Sequence, residues 1–390
     1  MISEEGARAK ILETVRSLSS RRLPILEALE RFAAQDYFAR LPLPMFDNSA
    51  MDGYAVIALD CKKGARLRVI GEQPAGADRK LGVSTGTAVR IFTGAPMPGG
   101  ADAVVMQENV TRDGDEVVAN TDVKIGEFVR SRGCDLGEGQ KVLSAGERVT
   151  AASAALLASQ GFAEITVGGA VRAAIISTGD ELVEPGGDLR PGQIYDSNAV
   201  LVQALLERTG AEVVLSEQCS DDADSLRKAF QAGAQNEIVV VTGGVSVGEH
   251  DLVQQTLREL GAQIDIWRVA IKPGKPFLFG RLDKAFVFGL PGNPVSAFVT
   301  FLQFVRPAIL KMMGAADLGL QKVPARLTVD LNNDNERAHY FRGKFEQGAF
   351  TPIGRQESHA LFGLSQSNAL LRLASGENRK PGETVEVELW

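Results

Sequence analysis

The residues best suited to chemistry sit in four short loops rich in glycine, proline and charge. These are Ser177-Thr178-Gly179-Asp180-Glu181, Thr242-Gly243-Gly244-Val245-Ser246-Val247-Gly248, Ile271-Lys272-Pro273-Gly274-Lys275-Pro276 and Gly289-Leu290-Pro291-Gly292-Asn293-Pro294. The second loop admits two readings. Its Gly244-Val245-Ser246-Val247-Gly248 fits the GxSxG pattern of a hydrolase nucleophile elbow. A triad also needs an acid and a histidine, and the chain holds only His250, His339 and His359, the first four residues from the serine and too near to be the usual partner. The other reading is a backbone cradle, in which glycines let the chain approach an anion while N–H groups at a helix N-terminus point at it. The pattern is neither GxGxxG nor a P-loop, and a plain tight turn needing positive φ explains one such loop taken alone.

Acidic residues share the rim: Asp180, Glu181, Asp221, Glu249 and Asp251. Carboxylates beside a phosphate cradle repel the ligand unless a hard cation such as Mg2+ bridges them. Singly, each also reads as a helix N-terminal residue favoured by the macrodipole, most readily Asp221, Asp222 and Asp251. Lys272 and Lys275 can neutralise a phosphate or an oxyanion, or form a solvated basic loop; the prolines flanking Gly274 stiffen that segment. Residues 44–55 (PMFDNSAMDGYA) have no clean period. They read either as a surface turn or as a loop that inserts Asp47 or Asp52 into a site made elsewhere, and spacing does not choose.

The elements that must position these loops follow from periodicity. Residues 168–315 alternate strand candidates (171–177, 211–216, 237–241, 264–269, 285–290) with helix candidates (197–209, 222–232, 252–260, 294–312), which predicts a doubly wound, mostly parallel α/β domain. In such a sheet ligands bind outside the carboxyl ends of the strands, and all four loops fall there. Near the N-terminus, Ile11, Leu12, Val15 and Leu18 recur at helical spacing, and Pro24 opens a second predicted helix through Leu26, Leu29 and Phe32. From Leu41 onward, short β-rich runs (66–70, 88–92, 103–107, 116–119) are divided by turn signals at Gly99-Gly100 and Asp113-Gly114. Residues 150–159 read as one Ala-rich helix with Thr150 as its cap. The runs 325–331, 339–347 and 384–389 look like strands of a small β-domain. The expected organisation is a helical and linker domain (1–39 with 136–167), an inserted β-domain (40–135), the α/β domain (168–316) and a C-terminal β-domain (322–390).

Composition bounds the function classes. The 390 residues include 42 basic and 49 acidic ones, a net charge of −7, so non-specific nucleic-acid binding is not expected. That average says little about a single pocket. With 44% apolar and 23% charged residues the chain is globular rather than disordered. Cys61, Cys134 and Cys219 are far apart, which argues against a disulfide framework or a zinc site and fits a reducing compartment. The acidic N-terminus lacks an apolar leader, and no stretch reaches 18 apolar residues; residues 295–310, interrupted by Gln303 and Arg306, read as a buried helix. A cytoplasmic protein without a membrane partner is expected.

With these residues in hand, the chain resembles the molybdopterin molybdenumtransferase family, the MoeA proteins and the gephyrin E-domain. The matching motifs are 46–55 (FDNSAMDGYA), 91–96 (IFTGAP) with 103–108 (AVVMQE), 177–182 (STGDEL), 193–198 (QIYDSN), 242–248 (TGGVSVG) with Asp251, 271–277 (IKPGKPF) and 289–296 (GLPGNPVS), in family order. The resemblance implies insertion of molybdate into adenylylated molybdopterin, with Mg2+-dependent release of AMP. It implies that Ser177, Thr178, Gly179, Gly243, Gly244, Ser246 and Gly248, with Pro291, Gly292 and Asn293, hold nucleotide and pterin phosphates. Asp180, Glu181, Asp221 and Asp251 would surround the metal and the scissile phosphoanhydride, the metal itself taking Asp180, Glu181 and Asp251. Lys272, Lys275 and Arg268 would bind oxyanion oxygens. Asp52, Thr93, Arg130 and Asp135 match another lobe of the family's site, which in the resembled architecture faces a second subunit, so a homodimer is implied. The adenylyltransferase that supplies the substrate and molybdoenzyme acceptors are the further partners. One departure lies in the tail: Gln356-Glu357-Ser358-His359 lacks the family's glycine before Ser-His, so a pterin contact of Ser358 and Arg342 does not carry over securely, and His359 reads as structural. A dimeric scaffold, a molybdopterin carrier or a tungstate-selective insertase of the same fold are the alternatives.

Overall fold

The computed structural model describes residues 1–245 and 252–390, and its chain divides into two compact units. The larger comprises Met1–Gln35, Ala145–Thr150 and Glu164–Trp390; the smaller comprises Asp36–Ser144 and Ala151–Ala163.

The larger unit is built around a six-stranded sheet. Its order is Glu212–Cys219, Arg172–Thr178, Ile238–Thr242, Ala285–Leu290, Pro276–Leu282, Gln263–Arg268. The first four strands are parallel, and Pro276–Leu282 runs antiparallel to both of its neighbours. Gln263–Arg268 therefore points the same way as the parallel set and ends on the same edge. The central strand Ile238–Thr242 shows why the fold is doubly wound. Ile238 and Val240 join one core with Val202, Leu206 and Phe288, whereas Val239 and Val241 join a second with Phe230, Val253 and Leu257. A strand apolar on both faces needs a helical layer on each. Helices Ser197–Thr209 and Pro294–Met312 cover one face; Ala223–Gly233 and Leu252–Glu259 cover the other. The expected doubly wound, mostly parallel architecture is thus what the chain adopts.

The caps follow local chemistry. Asp196 accepts from the Ala199 N–H at 2.9 Å, and Gly210 ends the same helix in the left-handed region (φ +99°). Asp222 accepts from Asp224 and Ser225 N–H groups. Pro294–Met312 is 19 residues with a mean hydropathy of 1.3, and 89% of its most apolar window is buried, as expected of a core helix. It contains one π-turn, Phe301–Val305. Pro307 cannot donate to the Gln303 carbonyl, and Arg8 Nε takes that oxygen instead at 3.3 Å.

One expected element is absent. The apolar spacing after Pro24 predicted a second helix, but Arg21–Pro24 is a strand paired antiparallel with Glu164–Val167. Glu30 then takes φ +62°, incompatible with a helix, while Phe32 and Ala33 bridge to Arg148 and Val167. Only Glu4–Thr14 is helical there, capped by the Ser3 hydroxyl.

At the C-terminal end, Ala338–Glu346, Ala349–Pro352, Gln321–Leu327, Thr384–Leu389 and Ala369–Leu373 pair in that order. Ala369–Leu373 closes back on Ala338–Glu346, making a five-stranded barrel filled by Leu327, Phe341, Phe350, Leu371 and Val387. Closure leaves no open edge in the ring. The segment Ile271–Lys272, expected as a loop, is a two-residue strand paired parallel to Ala338–Glu346.

The smaller unit is a six-stranded sheet ordered Ala103–Met106, Gly53–Val56, Thr87–Ile91, Arg66–Gln73, Glu116–Ala119, Val110–Asp113, with Val56, Leu67, Ala88, Val105 and Val117 in its core. The helix Ala151–Ser159 belongs to this unit.

Candidate functional site

The glycines at the carboxyl edge of the sheet are there because nothing larger fits. Gly243 has φ +83°, and a Cβ on it would run into the Thr178 carbonyl oxygen. Gly244 has φ +60°, and its Cβ would lie 2.7 Å from Thr178 Cγ2 and 2.8 Å from Val253 Cγ2. The loop Pro291-Gly292-Asn293 lies against them, a Cβ on Gly292 sitting 3.8 Å from Gly243 Cα. Asn198 fixes that loop from the side by donating Nδ2–H to the Gly292 carbonyl at 2.7 Å. Asn293 starts the following helix without capping it through its side chain; instead Nδ2 donates to Ser358 Oγ at 3.0 Å. Ser246, Gly248 and Asp251 of the expected site, with Glu249 and His250, lie outside the described residues.

Two adjoining clefts open on this edge. The first, of about 640 Å³, is lined by Lys272, Lys275 and Arg337, by Pro291–Asn293 and Ser296, and by Gln356, Glu357, Ser358 and His359. The second, of about 360 Å³, is lined by Thr178, Glu181, Asp196, Asn198, Thr242 and Gly243, with Ile194 and Tyr195 as an exposed apolar wall. Gly292, Asn293 and His359 line both. Buried Thr242 Oγ1 and Asn198 Oδ1, on the second cleft, have no hydrogen-bond partner among the described residues, so each is open to a ligand group.

The first cleft is electropositive. Lys272 and Lys275 come from the turn after Gln263–Arg268, and Gly274 between them has φ +116°, with Thr300 Cγ2 only 2.6 Å from where a Cβ would be. Arg337 is anchored by Nη1–H to the Ile271 carbonyl at 2.9 Å. None of these three cations is in an ion pair among the described residues. Beneath them lie two buried groups. Arg342, 1% exposed, has Nε and Nη2 without partners among the described residues, and burial lowers its pKa. Its backbone exchanges hydrogen bonds with the Gln356 amide at 3.0 Å. His339 is buried beside it. Arg268 ends its strand opposite Pro276.

The acidic residues sort differently from one another. Asp222 is a cap, whereas Asp221 accepts the Thr178 hydroxyl proton and donates its own N–H to Asp180 Oδ1 at 3.1 Å. Ser177 and Thr178 are buried at the strand end, and the Glu181 carboxylate folds back over Gly179. Among the described residues no three His, Cys, Asp or Glu side chains gather as a metal cage. Two exposed carboxylates, Asp180 and Glu181, beside a glycine turn nonetheless fit the donor set of Mg2+, which keeps its waters and takes one or two carboxylates plus phosphate oxygens.

In the smaller unit, the aperiodic segment is pinned residue by residue. Asp52 Oδ1 accepts from Thr93 N–H at 2.7 Å and Thr93 Oγ1 at 2.8 Å, and these bonds lower its pKa. Asp47 accepts from the Arg132 N–H at 2.6 Å, Arg130 pairs with Asn48, and the Asp135 N–H donates to the Leu43 carbonyl at 3.0 Å. Sequence reasoning missed Arg337 and Gln356. Arg337 stands in the run Asp334-Asn335-Glu336-Arg337, which reads as ordinary solvated charge until the barrel strand brings it to the cleft.

Fold and site together define a multidomain α/β and β protein with glycine-rich, cation-lined clefts at the carboxyl edge of its sheet. Family models match in sequence: MoeA N-terminal region (domain I and II) over residues 2–161, a probable molybdopterin binding domain over 174–311, and MoeA C-terminal region (domain IV) over 324–390. A molybdopterin molybdenumtransferase of Haemophilus influenzae is 39% identical over 404 residues, covering 100% of this chain and 98% of that protein. Molybdopterin molybdenumtransferase 2 of Mycobacterium tuberculosis is 35% identical, covering 99% of this chain and 97% of that protein. The crystal structure of a molybdopterin biosynthesis MoeA protein from Pyrococcus horikoshii OT3 superposes with a TM-score of 0.86 at 31% identity, covering 100% of both chains. The chain belongs to the molybdopterin molybdenumtransferase (MoeA) family.

Proposed function

We propose that this protein inserts molybdenum into adenylylated molybdopterin with Mg2+-dependent release of AMP, the last step of molybdenum cofactor biosynthesis. The observation that carries this is the placement of three cations, Lys272, Lys275 and Arg337, without an ion pair among the described residues, on a cleft that shares Gly292 and Asn293 with a second cleft lined by Gly243 and Glu181. In this reading the cations bind molybdate oxygens and the cradle N–H groups bind the substrate phosphates. Cleavage of a phosphoanhydride depends on positioning and charge neutralisation more than on a covalent nucleophile. Mg2+, when bound, supplies part of that neutralisation on the leaving AMP. Asp221, tied to Thr178, fixes the strand-end loop that carries Asp180 and Glu181. Asp52 and Thr93 are assigned to the same reaction through the family resemblance, as are Asp251, Ser246 and Gly248.

The same reading makes the protein a cytoplasmic homodimer, in keeping with three free cysteines. Its partners are the adenylyltransferase upstream and molybdoenzymes downstream. The test is to mix purified protein, Mg2+ and adenylylated molybdopterin with molybdate or tungstate and measure AMP. Release that depends on molybdate and Mg2+ is expected. Release with tungstate alone would make it a tungstate insertase, and substrate binding without release would make it a carrier or scaffold.

A further inference from the structure

His339 is 5% exposed, yet neither ring nitrogen has a hydrogen-bond partner among the described residues. Leaving a buried polar atom unpaired costs stability, so such a group calls for an explanation. Its placement supplies one. Lys272 and His339 stand directly opposite each other in a parallel strand pair, and residues so paired present side chains on one face. Lys272 lines the electropositive cleft; His339 stands behind it. The ring of Phe341 packs on the imidazole with centroids 3.9 Å apart, which fixes its orientation. The strand on its other side places Leu373 opposite it, and the neighbouring Arg372 is engaged by Glu4 and Glu5. Among the described residues the charged groups acting on the imidazole are Lys272, Arg337 and Arg342, all cationic.

We propose that His339 is a positioning residue for Lys272: the two are not hydrogen-bonded in this structure, and when an oxyanion occupies the cleft the neutral imidazole accepts one N–H of the Lys272 ammonium and leaves the other two to the anion. An ammonium carries three donors, and a bound oxyanion occupies one or two of them. A carboxylate in this position would pair with the cations and compete with the anion, and a further cation would add repulsion. A neutral acceptor does neither. Burial, followed by the three cations, lowers the imidazole pKa to about 4, so it stays an acceptor at neutral pH. The inference rests on the reading of this cleft as the oxyanion end of the site.

The test uses the full-length protein with 15N-labelled histidine, sulfate as a probe that stays dianionic at neutral pH, and molybdate as the second probe. The His339 ring resonance, assigned by its loss in His339→Gln, should move on adding sulfate. His339→Leu should weaken binding of both anions about tenfold, the effect of losing one hydrogen bond to a charged group. His339→Gln, which keeps a neutral acceptor, should stay within about threefold of wild type. An unmoved resonance with unchanged affinity in His339→Leu overturns the inference. So does equal weakening in both variants, which would make the role one of packing. Wild-type protein that binds neither anion overturns the reading of the cleft itself, and is thereby distinguished from failure of the His339 role alone.

Discussion

Asp52 accepts two hydrogen bonds from a single residue, and both donors of Thr93 favour its ionised form. Its pKa is held below the usual range for that reason, so it is a carboxylate throughout the physiological range. Asp52→Ala removes a partly exposed side chain; the variant should fold normally and lose molybdenum insertion and AMP release. Unimpaired turnover in that variant would remove Asp52 from the reaction. His339 carries a second expectation at this scale. Its folded pKa of about 4 lies below the ordinary 6.5, so between these values the unfolded chain takes up a proton that the folded chain does not. Stability must then fall as pH is lowered from about 6.5 to about 4, and the loss is complete below that window. Melting curves should show this slope, and His339→Gln should flatten it.

Whole elements depend on a few backbone requirements. The cradle exists because the strand Ile238–Thr242 ends in two successive residues of positive φ packed under Thr178. Gly243→Ala forces a Cβ against a carbonyl and a left-handed conformation on alanine. It should cost at least about 2 kcal/mol and abolish nucleotide binding; denaturant melts and a binding titration check both. The N-terminal helix is held in a similarly local way. Glu4, 6% exposed, accepts from the Tyr340 hydroxyl and from Arg372 Nε at 2.8 Å, tying Glu4–Thr14 to the barrel. Glu4→Ala removes the buried partner of the Tyr340 hydroxyl and of Arg372, which keeps Glu5, and should destabilise the larger unit by about 1–2 kcal/mol, read as a shifted denaturation midpoint.

For the molecule as a whole, net charge and local charge diverge. The chain carries −7, yet one cleft gathers Lys272, Lys275 and Arg337, with Glu357 the one acidic lining residue among the described residues. An acidic surface keeps polyanions such as nucleic acid away, while a pocket can still hold one small oxyanion. The homodimer implied by the family resemblance makes a further prediction: sedimentation at micromolar concentration should give twice the chain mass, and a monomer that turns over at full rate would refute it.

The sequence by itself determined the doubly wound sheet, because strand segments such as 238–241 are apolar at every position and alternate with amphipathic helices. It also determined the glycine and lysine loops, because positive φ and close backbone approach admit few other residues. The segment after Pro24 misled, since apolar spacing alone does not reveal that Pro24 ends a strand or that Glu30 turns the chain back. Pro276–Leu282 was not legible as a strand either, lying behind a Pro-Gly-Lys-Pro turn and interrupted by Gly280, whose Cβ would crowd Ile264 Cα at 3.1 Å. Only the tertiary structure decided that Asp222 rather than Asp221 is the cap, that Arg337 reaches the cleft, and that His339 stands behind Lys272. The first depends on Asp221 contacts to Thr178 and Asp180, 43 and 41 positions away, and the other two on the pairing of Ile271–Lys272 with Ala338–Glu346, at least 66 positions apart. Local periodicity records which face of an element is buried; it does not record which distant strand will lie beside it.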